Sequence, residues 1–159
     1  MDMAMNIKVK LDDITNALEF QSEEGGVYLD KSTGQVVILS EEDFYAAREG
    51  NPIEDYPDWQ HNHILFARRV ENEDVNLIAL PSKFDIHEYH IMEEYCYSIE
   101  DEDVSSELSH SLKGSGAFRR FKDTIHRLNV ENDWYAYREN ALKNIAIEWC
   151  KENKVEYKE

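Results

Sequence analysis

Apolar residues first recur at helical spacing in Leu11, Ile14, Ala17 and Leu18, which predicts a helix over residues 11–20. Asp12 or Asp13 is placed to cap it, and Gly25-Gly26 follows its end. The pattern then changes to short β-rich runs, Val27-Tyr28-Leu29-Asp30 and Gln35-Val36-Val37-Ile38-Leu39. Lys31-Ser32-Thr33-Gly34 between them is a turn, so the stretch 27–39 reads as a β-hairpin. Ser40-Glu41-Glu42-Asp43 places an acid three residues after a serine, the pattern of a capping box. The helix it opens runs through Phe44, Tyr45 and Ala47 and stops at Gly50 and Pro52. Trp59, His63, Phe66 and Val70 predict another helix, and Val75 to Leu80 a third strand closed by Pro81. Three strands with an apolar face can be stable where a lone hairpin is marginal.

From Phe84 onward the pattern is helical. Asp85-Ile86-His87-Glu88 predicts a second capping box, followed by a face of Ile86, Tyr89, Met92, Glu93 and Cys96. The acidic run 100–103 suits the positive end of a helix over 104–112, which Gly114-Ser115-Gly116 breaks. Phe118, Phe121, Ile125 and Leu128 form the apolar stripe of the next helix. Asn132 or Asp133 is the expected cap of the last one, with Trp134, Tyr137, Ala141, Ile145 and Trp149 facing inward. Val155-Glu156-Tyr157 predicts a final edge strand. The expectation is one α+β domain over residues 6–158, with residues 1–5 as a frayed terminus. It is mainly helical, a small antiparallel sheet (hairpin 27–39 plus a strand near 75–80) packed on about six helices.

Composition fits that reading and narrows the partners. A chain of 159 residues with 42% apolar and 11% aromatic residues can bury a substantial core. Thirty-four acidic residues against 17 basic ones give a formal charge of −17, a field that repels polyanions and disfavours nucleic acid and anionic membranes. Cys96 and Cys150 are too few for a disulfide framework or a four-ligand zinc site and read as buried thiols. Residues 1–10 lack the basic start and apolar run of a signal peptide, and no run reaches the roughly 18 apolar residues of a membrane helix. The expectation is a cytoplasmic, reduced protein without a cofactor motif.

One segment breaks the acidic pattern. Between Lys113 and Arg127 there are five basic residues and one acid, Asp123, against twelve bases and thirty-three acids elsewhere. A glycine-rich turn entering a helix can offer N–H groups and a positive dipole end to an anion. Arginines one turn in can add bidentate contacts to phosphate or carboxylate. Lys113, Gly114, Ser115, Gly116, Arg119, Arg120 and Lys122 are therefore the candidate binding residues for an acidic protein partner or a phosphorylated ligand. The competing reading is a tight corner between two helices, with Arg119 and Arg120 paired to the upstream acidic run or to Asp133 and Glu139. The glycine spacing fits neither a Walker loop nor a dinucleotide fingerprint.

Other chemistry is weaker. His61 and His63 stand at i, i+2, and His87 and His90 at i, i+3, one residue short of the zinc-protease spacing. No metal site is expected, and surface or capping roles fit these histidines. Carboxylate pairs are too abundant to single out, and Ser115 has no base placed by the sequence. In Trp134-Tyr135-Ala136-Tyr137, the first and last read as core and Tyr135 as the exposed ring. An enzyme acting on a phosphorylated small molecule, with His87, His90 or His126 as base, is the alternative to a non-enzymatic binding or regulatory module.

Several segments in order carry a family likeness: Tyr28-Leu29-Asp30 with Thr33-Gly34 and Val36, Leu80-Pro81, Ile91-Met92-Glu93, the decapeptide Gly114 to Asp123, Trp134-Tyr135, and Ala146 to Trp149. Together they resemble the uncharacterised bacterial protein family UPF0158 over residues 7–157, the decapeptide being the most specific part. The resemblance implies a single bacterial cytoplasmic domain of unassigned function, with the 114–123 element as its distinguishing feature. It carries over no catalytic residues.

Overall fold

The computed structural model describes residues 7–19 and 25–159. The expected frayed terminus at 1–5 and the helix residue Phe20 lie outside them. The chain divides into two compact units, the first comprising the described residues up to Asp85 with Ile145–Glu159, the second Ile86–Asn144. The architecture is α+β and mainly helical, with a small antiparallel sheet, as the hydrophobic pattern predicts.

The first unit begins with β1 (Val9–Lys10) and α1 (Leu11–Leu18), then β2 (Gly26–Asp30) and β3 (Gln35–Leu39), then α2 (Glu41–Glu49), α3 (His61–Glu71) and β4 (Leu77–Ala79). The β2–β3 hairpin pairs Tyr28 with Val37 and Asp30 with Gln35, and β4 adds to the other side of β2, giving the order β3-β2-β4. One face of this sheet carries Tyr28, Val37 and Leu39, covered by Phe44 from α2 and by Phe66 and Ala67 from α3. Val27 and Leu29 point to the opposite face and are also buried, and α1 packs against β3. Burial of β2 on both faces explains why Val27-Tyr28-Leu29 reads as an apolar run rather than an alternating one. The expected final strand forms as β5 (Tyr157–Lys158), parallel to β1.

The Ser40 box forms as read: Asp43 N donates to Ser40 Oγ at 3.2 Å, and Ser40 N donates to Asp43 Oδ2 at 3.0 Å. Gly50 ends α2 in a left-handed turn, φ 71°. The box expected at Asp85–Glu88 lies three residues earlier. Ser82 N and Asp85 Oδ2 are 2.9 Å apart and Asp85 N and Ser82 Oγ 3.2 Å apart, opening the one-turn α4 (Lys83–Ile86). His87 then turns left-handed at φ 52°, so α5 (Glu88–Ser98) starts without a side-chain cap. The helix expected from Trp59 begins only at His61. Trp59 belongs to a preceding 3-10 turn and is 76% exposed, and Ile64, Phe66 and Ala67 form the buried face.

The second unit contains α5, α6 (Glu102–Ser111), α7 (Ala117–Arg127) and the first turns of α8 (Glu131–Glu152). Asp101 caps α6 by accepting from Asp103 N and Val104 N. Its centre is aromatic. Trp134 meets Phe121 at 4.9 Å and Tyr95 at 5.3 Å between ring centroids, both edge-to-face, and Tyr137 leans on Tyr95 at 5.2 Å. Tyr95 is buried, and its hydroxyl donates to Asp133 Oδ2 at 2.9 Å. Burial and the Asp133 carboxylate both push the Tyr95 hydroxyl far above its ordinary pKa.

Three registers differ from the periodicity. On α5 the buried face is Ile91, Met92, Tyr95 and Cys96, whereas Tyr89 of the expected face is 40% exposed and Glu93 half-buried. Phe118 is 49% exposed, because the buried face of α7 is Ala117, Phe121, Thr124 and Ile125. That i, i+4, i+7, i+8 set keeps Phe121 and Ile125 of the expected stripe but replaces Phe118 and Leu128 by Ala117 and Thr124. In α8 the helix starts at Glu131, which places Asn132 and Asp133 inside the first turn rather than at the cap. Leu142, Ala146 and Cys150 are buried on it, whereas Ala141 and Ile145 are half-buried. Both cysteines are free and buried, and burial raises both thiol pKa values, that of Cys150 to about 11.

Candidate functional site

The corner between α6 and α7 is built by two left-handed glycines. Gly114 (φ 79°) and Gly116 (φ 75°) bracket Ser115 and reverse the chain within a few residues. A side chain at either position would be strained, although a Cβ at Gly114 would meet open space. The requirement there is conformational and not a close approach.

Reversal leaves the last carbonyls of α6 without intrahelical donors. Two side chains supply them. Tyr89 Oη donates to Leu112 O at 2.8 Å. Arg120, one turn into α7, folds back on the corner: its Nε donates to Ser111 O at 3.2 Å, one terminal nitrogen to Ser115 O at 2.5 Å, and the other to Lys113 O. A planar cation at a helix C-terminus also meets the negative end of the dipole. The ion pairs expected of Arg120 with nearby acids are replaced by these carbonyl bonds, because the fork reaches three acceptors of its own corner at once. Asp133, one of those acids, receives Tyr95 instead. The inner side of the corner is thus lined by carbonyl oxygens and a guanidinium. Replacing Arg120 by alanine is expected to lower the stability of the second unit by roughly 1–2 kcal/mol, with lysine failing to restore it. Arg119→Ala should stay within about 0.5 kcal/mol. Chemical denaturation of the three variants measures this difference.

The remaining basic candidates face outward. Lys113, Arg119 and Lys122 are exposed and make no ion pair among the described residues. Arg119, Lys122 and His126 stand at i, i+3 and i+7 and so share one face of α7, with Asp123 beside them. His126 Nδ1 lies 2.6 Å from Glu131 Oε1. Arg127 is held differently, 3.3 Å from Glu107. Phe118 stacks edge-to-face on Tyr89 at 6.4 Å and supports this surface from the side.

The other histidines do not converge. His61 Nε2 lies 2.8 Å from Tyr56 O, and His90 Nε2 lies 2.7 Å from Glu94 on its own helix. His87 occupies the left-handed turn before α5. Among the described residues no group of three or more His, Cys, Asp or Glu side chains could hold a metal ion. No helix of the described residues is long and apolar enough to cross a membrane.

A buried, strongly hydrogen-bonded carboxylate lies elsewhere, and the sequence pattern did not single it out. Asp30, at the end of β2 and nearly inaccessible, accepts from Ser32 N at 2.9 Å, Ser32 Oγ at 2.5 Å and Arg69 Nη1 at 2.9 Å. Arg69 also donates from Nε to Asp74 Oδ2 at 2.9 Å, and Asp74 Oδ1 accepts from Asn76 N. Burial alone would raise the Asp30 pKa, but the Arg69 and Ser32 hydrogen bonds and the Arg69 charge together hold it below the usual carboxylate range. This cluster ties the hairpin turn to α3 and to the entry of β4. Asp30-Lys31-Ser32 is a local turn signal, yet nothing in the sequence joins it to Arg69.

With the mainly helical α+β fold and its glycine corner in place, the comparisons identify the class. The sequence signature described as "Uncharacterised protein family (UPF0158)" matches residues 3–158, so the chain belongs to that family. UPF0158 protein PA5073 of Pseudomonas aeruginosa is similar to it, 22% identical over 130 residues, covering 81% of this chain and 73% of that protein. No solved structure matches.

Proposed function

We propose that this protein is a non-enzymatic binding or regulatory module that presents the outer face of the α6–α7 corner to an anionic group on a protein or small ligand. The observation that carries this reading is the exposure of Lys113, Arg119 and Lys122 together, free of ion pairs among the described residues, in a chain of formal charge −17. In such a chain a cation has many acids able to neutralise it, yet these three form no ion pair among the described residues, even with Asp123 on the same face of α7. Arg120 belongs to the scaffold of the site and not to its contact surface, since three of its five donors engage the corner's own carbonyls. Anion contacts then fall to Arg119 and Lys122, with the first-turn N–H groups of α7 behind them.

Titration of isotope-labelled protein with inorganic phosphate and with an acidic peptide, followed by amide NMR, tests the reading. Shifts confined to residues 113–126 are expected, and Arg119→Glu/Lys122→Glu should abolish them without changing the spectrum elsewhere. Shifts spread over the whole chain, or retained in the double variant, would overturn it. Raising salt should weaken this contact.

The second reading, an enzyme acting on a phosphorylated small molecule, is favoured by the position of His126 on the same face, its ring oriented by Glu131. It predicts turnover of a phosphorylated compound that is lost in His126→Ala while phosphate-induced shifts at Arg119 persist.

A further inference from the structure

We infer that the free edge of β3, together with the adjoining stripe of α3, is a self-association surface through which two copies of this chain join their sheets. β3 is an edge strand in the order β3-β2-β4. Val27 O accepts from Leu80 N, and Lys31 N donates to Asn76 O, both on the β4 side of β2. Odd-numbered residues of β2 therefore turn their peptide groups toward β4. Their partners across the hairpin, Val36 opposite Leu29 and Ile38 opposite Val27, turn theirs outward. Among the described residues these outward N–H and C=O groups have no hydrogen-bond partner.

Beside the edge runs an open cleft of about 680 Å³, bounded on its far side by His63 and by Asn62, Leu65, Phe66 and Arg69. Asn62, Leu65, Phe66 and Arg69 stand at i, i+3, i+4 and i+7, so one stripe of α3 flanks the strand along its length. Leu65 on the α3 wall is 44% exposed, and Ile38, whose side chain lies with that of Val27 on the other face of the sheet, is equally so. Native edge strands are usually protected by lysine, proline or a bulge. This one is Gln35-Val36-Val37-Ile38-Leu39, without a charge, a proline or a bulge against β2.

Two features select a second copy as the occupant. First, among the described residues no carboxylate lines the cleft, although 34 of the chain's 159 residues are acidic. A patch poor in acids is what allows two like-charged molecules to approach there. Second, the edge is self-complementary. A two-fold axis at Val37 sets Val36 of one copy opposite Ile38 of the other, so both outward-facing residues of each strand exchange N–H···O=C bonds with their mates. The same axis keeps α3 and its mate on one face of the joined sheet, bringing the two Leu65 stripes toward the seam.

Sedimentation equilibrium of the full chain across concentration and salt tests this. A dimer is expected that tightens as salt rises, because screening relieves the repulsion between acidic copies. An association through the basic α7 face would weaken instead. Ile38→Lys and, separately, Leu65→Lys should each weaken the dimer by on the order of tenfold or more, while circular dichroism and melting at monomer-forming concentrations stay unchanged. The Val36 and Ile38 amides should exchange roughly tenfold more slowly at dimer-forming than at monomer-forming concentrations. Should Ile38→Lys unfold the chain, the helix-surface variant and the exchange data carry the test. A wild type that stays monomeric at every soluble concentration would overturn the inference, as would a dimer indifferent to both variants. A monomer that instead takes up an added extended peptide along the Val36 and Ile38 amides would assign the edge to a foreign strand and overturn self-pairing.

Discussion

Trp134→Ala is expected to be the most damaging of these substitutions, destabilising the second unit by roughly 3–5 kcal/mol. The indole is buried among Phe121 and Tyr95, both edge-to-face to it, and the backbone around it is helical and poorly able to collapse. Truncation removes the transfer term of a large ring and leaves a cavity whose aromatic walls lose their partner atoms. It also loosens Tyr95, whose hydroxyl bond to Asp133 depends on the ring staying in place. Trp134→Phe should recover much of the loss, since the edge-to-face contacts survive a smaller ring. Denaturant titration of the three proteins, with near-ultraviolet circular dichroism to follow aromatic packing, gives the comparison. A loss below about 1 kcal/mol for the alanine variant would show that the aromatic cluster is not the centre of this unit.

Asp30→Ala should be the largest effect in the first unit, roughly 2–3 kcal/mol, because it leaves the Arg69 guanidinium without its buried partner and unlatches the Ser32 turn. The figure is set below that for a fully buried pair since Arg69 is partly exposed. The same network gives a pH signature. The Asp30 carboxyl is depressed in the folded state, so its contribution is present above the unfolded carboxylate value and is lost as pH falls through the folded one. Asp74 is depressed too, chiefly by the Asn76 N–H and then by Arg69, and adds to the change in the same direction. Wild-type stability should therefore fall steeply below about pH 4, and Asp30→Asn, which keeps the turn's shape without the charge, should flatten that fall. Parallel acid dependences for the two proteins would remove Asp30 from this role.

What was legible in the sequence is what local spacing encodes. Ser40 and Asp43, three residues apart, define a helix start without reference to anything distant, and the structure has both bonds. The hairpin and the Gly114–Gly116 corner were readable for the same reason: few residues other than glycine enter the left-handed region at low cost. Registers that depend on packing were less so. Phe118 reads as core by spacing from Phe121, yet Ala117 and Thr124 complete the buried face, and the larger ring lies outside against Tyr89. The box expected at Asp85 shifted because Asp85 serves as the acid of the preceding box, with Ser82, rather than as a cap.

The site followed the same division. The cluster of cations at 113–127 is a property of the sequence, but its partition into contact and scaffold is not. Arg119 and Arg120 are adjacent and chemically identical, and only the path of the chain decides which one meets the carbonyls of Ser111, Lys113 and Ser115. Asp30 and Arg69 lie 39 positions apart, with nothing local to connect them.

A pull-down from bacterial lysate, with and without nuclease, tests the proposed binding face most directly. It compares wild type, Arg119→Glu/Lys122→Glu and Arg120→Ala, each also melted in buffer. A partner or phosphorylated ligand is expected to be retained by wild type, lost with Arg119→Glu/Lys122→Glu at unchanged melting temperature, and held by Arg120→Ala in proportion to the protein still folded. Material retained equally by the double charge reversal, or a double variant that melts well below wild type, would contradict it.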